Sequence, residues 1–115
     1  MTAAALPNPG ISAWAALSYA AAVKPGDHVL VPNVMYWSLR NWLRGFATQW
    51  GLRVDVIDMA SPDEMRRAAR PGVTKLVWIE TPANPLWTIT DIAATCDIVV
   101  LCVATGIVLG IVNGL

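Results

Sequence analysis

AAVKPGDHVLVP, residues 21–32, reads as the end of a helix, a tight turn and a buried strand in immediate succession. Pro25 lacks an N–H and Gly26 favours left-handed turn conformations, so neither continues a helix. His28 to Pro32 is then a short apolar run of strand length. Upstream, Gly10 to Val23 is Ala-rich, with Trp14, Leu17 and Ala21 at helical spacing, and Asn8-Pro9-Gly10 forms the loop that enters it.

The same unit repeats downstream. Tyr36 to Trp50 places Leu39, Trp42, Leu43 and Phe46 on one helical face and Arg40, Asn41 and Arg44 on the other, with Gly51 where a helix would stop. Leu52 to Asp58 alternates apolar and charged residues, as a half-buried strand does. Ser61-Pro62-Asp63-Glu64 has a capping serine, a proline at the first helical position and acidic residues in the first turn. Pro71-Gly72 stops that helix, and Thr74 to Ile79 reads as a third strand, buried on both faces. Strands alternating with helices imply an α/β layer with a mainly parallel sheet. In such sheets ligands bind beyond the carboxyl ends of the strands, which directs attention to Pro32–Trp37 and to Glu80–Pro85.

Composition excludes some functions. Eight Lys plus Arg balance eight Asp plus Glu, which leaves no footprint for nucleic acid or an anionic membrane surface. Hydrophobic residues reach 56% and charged residues 14%, against roughly 45–50% and about 25% in soluble domains, so more apolar surface than usual is exposed or covered by a partner. Cys96 and Cys102 lack a second cysteine pair, and His28 is far upstream, so reduced buried thiols are expected and no metal. His28 reads as a polar residue at a strand edge. No P-loop, GxGxxG or HExxH motif is present. Residues 1–9 lack the basic and apolar regions of a secretory signal, which makes a cytoplasmic location the expectation.

Several ordered blocks resemble the Cys/Met-metabolism enzymes that depend on pyridoxal 5′-phosphate (PLP), the family of cystathionine γ-synthase, cystathionine lyases and methionine γ-lyase. Residues 22–32 resemble "LKPGDHVLVP", with Tyr36 at the spacing of that family's tyrosine. Pro71 to Val77 resembles "RPNTKLV", Glu80 to Pro85 resembles "E(S/T)P(S/A/T)NP", and Ile89-Thr90-Asp91-Ile92 resembles "VxDI". The resemblance covers residues 9 to 94. It implies part of the three-layer major domain of fold-type I, the aspartate-aminotransferase-like PLP-dependent transferases. It also implies sulfur amino-acid substrates such as cystathionine, homocysteine or an O-acyl-homoserine, and a homo-oligomeric parent.

By that resemblance Gly10 and Ile11 correspond to the backbone N–H groups that grip the cofactor phosphate, a role suited to a helix N-terminus. Pro9 stands where the family usually has serine, which removes a hydroxyl and one N–H. Tyr36 corresponds to the tyrosine that stacks on the cofactor ring and assists proton transfer. Asn84 corresponds to the asparagine near the cofactor's phenolic oxygen and the substrate carboxylate, and Glu80 to a glutamate that shapes the pocket.

The Schiff-base lysine of the family has no counterpart. Lys24 lies in the turn after the first helix and Lys75 opens the third strand at the end away from the site loops, and neither sits in an "SxTK" context. The aspartate expected to pair with the pyridinium nitrogen is also missing, since no Asp follows Asp97. The expected organisation is therefore a partial PLP-binding domain over 1–94 and a divergent apolar tail over 95–115, inactive alone. Residues 98–115 carry no charge, and Gly106, Gly110 and Gly114 fall at GxxxG spacing, so a membrane anchor or association module is the alternative. The absence of a flanking basic cluster and aromatic belt favours a truncated or frame-shifted end over an anchor.

Overall fold

A computed structural model describes residues 23–102 and 107–112. Four strands, β1 (His28–Pro32), β2 (Arg53–Ile57), β3 (Thr74–Thr81) and β4 (Ile107–Val112), form one sheet in the order β2-β1-β3-β4. Every neighbouring pair is parallel. Three helical segments connect them: α1 (residues 37–50) after β1, α2 (Pro62–Ala68) after β2, and α3 (Ile92–Cys102) after β3. Strand burial follows position in the sheet. β1 is buried throughout and β3 nearly so, while β2, at one edge, is half exposed.

The period of two sorts side chains into two cores. Val29, Val31, Leu76 and Trp78 pack with Met35 of the loop after β1 and with Leu39, Leu43 and Ala47 of α1. Leu30, Val77, Ile79 and Ile57 pack on the opposite face with Met65 of α2 and Ile98 and Val99 of α3. The result is a three-layer α/β/α unit, as the strand and helix pattern implies. Each fully buried Leu, Ile or Met, such as Leu30, Met65 and Ile79, contributes about 1.5–3 kcal/mol relative to exposure.

Local chemistry fixes the connections. In the turn before β1 the Asp27 amide donates to the Lys24 carbonyl, and Gly26 adopts φ +94°, the conformation a proline–glycine turn requires. Gly51 ends α1 at φ +107°, and a Cβ there would meet Pro25 Cβ at 3.1 Å. Ser61 caps α2 by accepting the Glu64 amide at 3.3 Å, and Glu64 accepts the Asp58 amide in return. Asp91 plays the same part for α3, with its carboxylate accepting the Ala94 amide at 2.9 Å.

Three sequence expectations need correction. Helix α1 is not uniform: it runs Trp37–Trp42 as α-helix, Leu43–Ala47 as π-helix and Thr48–Trp50 as α-helix. The wider turn rotates later residues, so Ala47 enters the core and Phe46, expected on the apolar face, is 42% exposed. His28 is not at a strand edge but fully buried at the start of the central strand. Cys96, expected to be buried, is exposed and free, because α3 turns Thr95, Ile98 and Val99 inward instead.

α3 runs unbroken across residue 94, and β4 pairs with β3 from Leu76↔Ile107 to Thr81↔Val112. Among the described residues no helix is long and apolar enough to cross a membrane.

Candidate functional site

β1 and β3 are adjacent and parallel, so their carboxyl ends deliver two loops to the same place. The loop after β1 is anchored by the Asn33 amide donating to the Ile57 carbonyl, and by the Arg40 guanidinium donating to the Asn33 carbonyl. At the end of β3, Glu80 is only 3% exposed. Its Oε2 accepts the Tyr36 amide at 3.1 Å and its Oε1 accepts the Asn84 amide at 3.3 Å. One buried carboxylate thus holds both loops, and charge-assisted bonds of this kind are stronger than neutral ones. The sequence marks Glu80 as a pocket-shaping residue, but the partners it joins are 44 and 4 residues away and emerge only in the fold.

The second loop is closed on itself. The Ala83 amide donates to the Thr88 carbonyl at 2.8 Å, the Trp87 amide to the Ala83 carbonyl at 2.6 Å, and the Thr90 amide to Thr81 Oγ1 at 3.2 Å. The Thr81–Pro82 and Asn84–Pro85 peptides are cis. Tyr36 is 38% exposed, with its ring 6.3 Å from that of Trp37, and Asn84 is exposed. Around them Trp37, Leu86, Trp87 and Ile89 expose more than half of their surface. The structure therefore brings Tyr36 and Asn84 to one anchoring group, whereas Gly10 and Ile11 lie outside the described residues.

A family model described as "Cys/Met metabolism PLP-dependent enzyme" matches residues 2–113. The chain belongs to that family. The match runs past residue 94, where the quoted motifs end, and takes in α3 and β4. Among similar proteins, an L-methionine gamma-lyase of Porphyromonas gingivalis is 40% identical over 96 residues, 84% of this chain and 24% of that protein. A probable cystathionine gamma-synthase of Herpetosiphon aurantiacus is 42% identical over 63% of this chain and 22% of its own length. A cystathionine gamma-lyase of Bos taurus is 38% identical over 63% and 18%, respectively. The crystal structure of metB from Corynebacterium glutamicum superposes with a TM-score of 0.72 at 29% identity, covering 89% of this chain and 25% of that one. The chain thus has the fold-type I architecture and spans about a quarter of the length of these relatives.

The family cofactor is PLP, and the described residues fit it in one respect and not in another. Tyr36 offers an aromatic face and Asn84 an amide, both on backbone held by Glu80 at the carboxyl ends of the strands. These suit a flat aromatic ring bearing a phenolic oxygen. A covalent anchor does not fit. Lys75 is the second residue of β3, about 20 Å of extended strand from the site loop, and Lys24 lies in the turn before β1. Both lysines of the sequence lie at the wrong end of the sheet.

That other end carries a second polar constellation. His28 Nδ1 lies 2.7 Å from Thr74 Oγ1, and its Nε2 lies 2.9 Å from Asp55 Oδ2, which also accepts from Arg70 at 2.9 Å. The Arg70 amide donates to Thr74 Oγ1 at 2.8 Å, and because the Asp55 carboxylate facing Nε2 can only accept, Nε2 is the ring nitrogen that donates there. Hydroxyl, imidazole and carboxylate stand in the order of a nucleophilic triad, but His28 is 0% and Thr74 2% exposed, which closes them to any substrate. The constellation is a clamp across three strands. A shift in the β1–β3 ladder, from His28↔Thr74 to Val29↔Leu76, leaves Lys75 as an extra residue and aims Thr74 at the ring. Among the described residues no group of three or more His, Cys, Asp or Glu side chains is placed to hold a metal.

Proposed function

We propose that this chain supplies one wall of the cofactor pocket of a PLP-dependent enzyme that eliminates or replaces the β- or γ-substituent of a sulfur amino acid, with substrates of the cystathionine, homocysteine or O-acyl-homoserine type. When bound, PLP would supply the electron sink that this chemistry needs. The carrying observation is the pair of bonds from the Tyr36 and Asn84 amides to Glu80, which tie the backbone of a tyrosine and of an asparagine to one carboxylate. Tyr36 would flank the cofactor ring and could exchange a proton through its phenol, Asn84 would orient an oxygen of cofactor or substrate, and Gly10 and Ile11 would receive the phosphate.

The chain is inactive alone, a reading supported by the position of both lysines away from these loops. The apolar side chains of Trp37, Leu86, Trp87 and Ile89 are surface that the remainder of such an enzyme, or a second subunit, would cover.

The test uses pyridoxine 5′-phosphate, which lacks the aldehyde and cannot react with surface lysines. Saturable amide shifts confined to residues 33–37 and 80–88, together with the phosphate-binding segment around Gly10, are expected by NMR. Shifts elsewhere, or none, would refute the site. A parallel incubation with stoichiometric PLP and borohydride is expected to leave Lys24 and Lys75 unmodified by mass spectrometry. Release of keto acid from L-methionine or cystathionine above that caused by free PLP would overturn the claim of inactivity.

A further inference from the structure

The π-helical turn of α1 lies against the sheet edge, and a cavity of about 220 Å³ lies between them. Val31, Val54 and Val56 line it from the sheet, and Arg40, Arg44 and Thr48 from the helix. These helix residues come from before, within and after the π turn, and all three reach the cavity. The π turn is stabilised from within the lining, because Thr48 Oγ1 donates to the Leu43 carbonyl at 2.8 Å across five residues. Turns of this kind cost regular helical bonding and occur often at functional sites. β2 is the last strand on its side of the described sheet, so the cavity opens at an edge, and Val56 is 48% exposed there.

The charges are one-sided. Among the described residues none that lines the cavity is acidic. Arg40 donates to the Asn33 carbonyl, and its guanidinium retains further donors. Arg44 is exposed and makes no side-chain hydrogen bond or ion pair among the described residues. Two guanidinium groups beside an apolar lining suit an anion with an apolar body, and the arginine fork matches a carboxylate in a bidentate manner. Size narrows the class. A cavity of about 150 Å³ accepts benzene, so this one has room for a ring, or a branched alkyl group, plus one carboxylate.

We infer that this cavity, which Asn33 and Met35 of the loop before Tyr36 also line, is a binding site for a small amphipathic carboxylate, aryl or branched alkyl, held by Arg44 and Arg40. The probe is benzoate, with benzamide as its uncharged counterpart, titrated into the methyl-labelled full chain. Saturable shifts of the Val31, Val54 and Val56 methyls are expected with benzoate, with affinity lower by about tenfold or more for benzamide. Arg44→Gln should weaken benzoate by at least about tenfold, the loss expected for one charge-assisted contact. Arg67→Gln, which removes the same charge from an exposed position on α2, should leave it unchanged. Absence of saturation, equal binding of benzamide, or an equal loss in Arg67→Gln would each overturn the assignment. Arg44 has no structural partner among the described residues, so its variant keeps the fold, which an unchanged amide spectrum outside α1 verifies.

Discussion

Replacing Glu80 by alanine removes the acceptor that holds both candidate-site loops. Two bonds at 3.1 and 3.3 Å are lost from a carboxylate that is 3% exposed. Bonds to charged groups are worth about 1.5–3 kcal/mol each, and a donor left buried and unpaired costs about 1–3 kcal/mol. Tyr36 and Asn84 are themselves exposed, so water reaches part of the freed amides and the lower ends of these ranges apply. Removing a buried side chain's methylene adds about 0.8 kcal/mol. The expected destabilisation of Glu80→Ala is about 3 kcal/mol, read as a drop in the urea midpoint at unchanged slope. Glu80→Gln is more discriminating. One amide oxygen still accepts, but the NH2 group faces the other backbone N–H, donor against donor, so about 1–2 kcal/mol is lost. Amide exchange separates this from a general effect: Tyr36 and Asn84 should exchange at least tenfold faster in Glu80→Gln, while Leu30 and Val77 follow global stability. A glutamine variant as stable as the parent, with both amides still protected, would refute the account of Glu80 as the anchor.

Other substitutions test other parts of the fold. His28→Leu removes both ring contacts from a fully buried position, and although Thr74 and Asp55 keep Arg70, about 2–3 kcal/mol should be lost in thermal or urea unfolding. Gly51→Ala places a Cβ at φ +107° and 3.1 Å from Pro25 Cβ, and should cost more than about 1 kcal/mol, whereas Gly45→Ala in α1, with nothing within 4 Å, should be neutral or stabilising. Trp78 is 2% exposed and its Nε1 has no partner among the described residues, so Trp78→Phe trades an unpaired donor against a small cavity and should change stability by less than about 1 kcal/mol, while Trp78→Ala should cost about 3–5 kcal/mol.

The sequence carries most of the sheet because its signals are local. The Lys24–Asp27 turn, the buried β1 run, the alternation in β2 and the Ser61 cap each depend on neighbours within a few residues, and each is found where expected. The extent of α1 was legible and its π turn was not, since the same apolar residues suit either winding until the sheet selects which of them enter. The His28 clamp depends on residues 27 and 46 positions away, which only the parallel register brings together. The uncharged run after Ile98 suggests by composition a truncated or frame-shifted end, or else a membrane anchor, and gives no sign that Ile107–Val112 pairs with β3 as a parallel strand, because that pairing is set by a partner more than 25 residues away. Of the candidate site, strand ends point to the loops Pro32–Trp37 and Glu80–Pro85 and the family resemblance singles out Tyr36 and Asn84 within them, while the carboxylate linking them required the three-dimensional path.

The clamp at His28 bears on how the chain reaches this structure. Joining His28 to Asp55 and Thr74 closes loops of 27 and 46 residues at once, and the longer closure costs only a few tenths of a kcal/mol more in chain entropy. Entropy alone therefore discriminates poorly between β2 and β3 as first partner of β1, or between correct and slipped alignments. The imidazole discriminates well. A one-residue slip of β2 turns Asp55 to the opposite face and strands a polar ring inside the sheet, at about 1–3 kcal/mol. A slipped register thus forfeits what the clamp contributes, and the clamp helps to specify which residues of β2 lie beside β1.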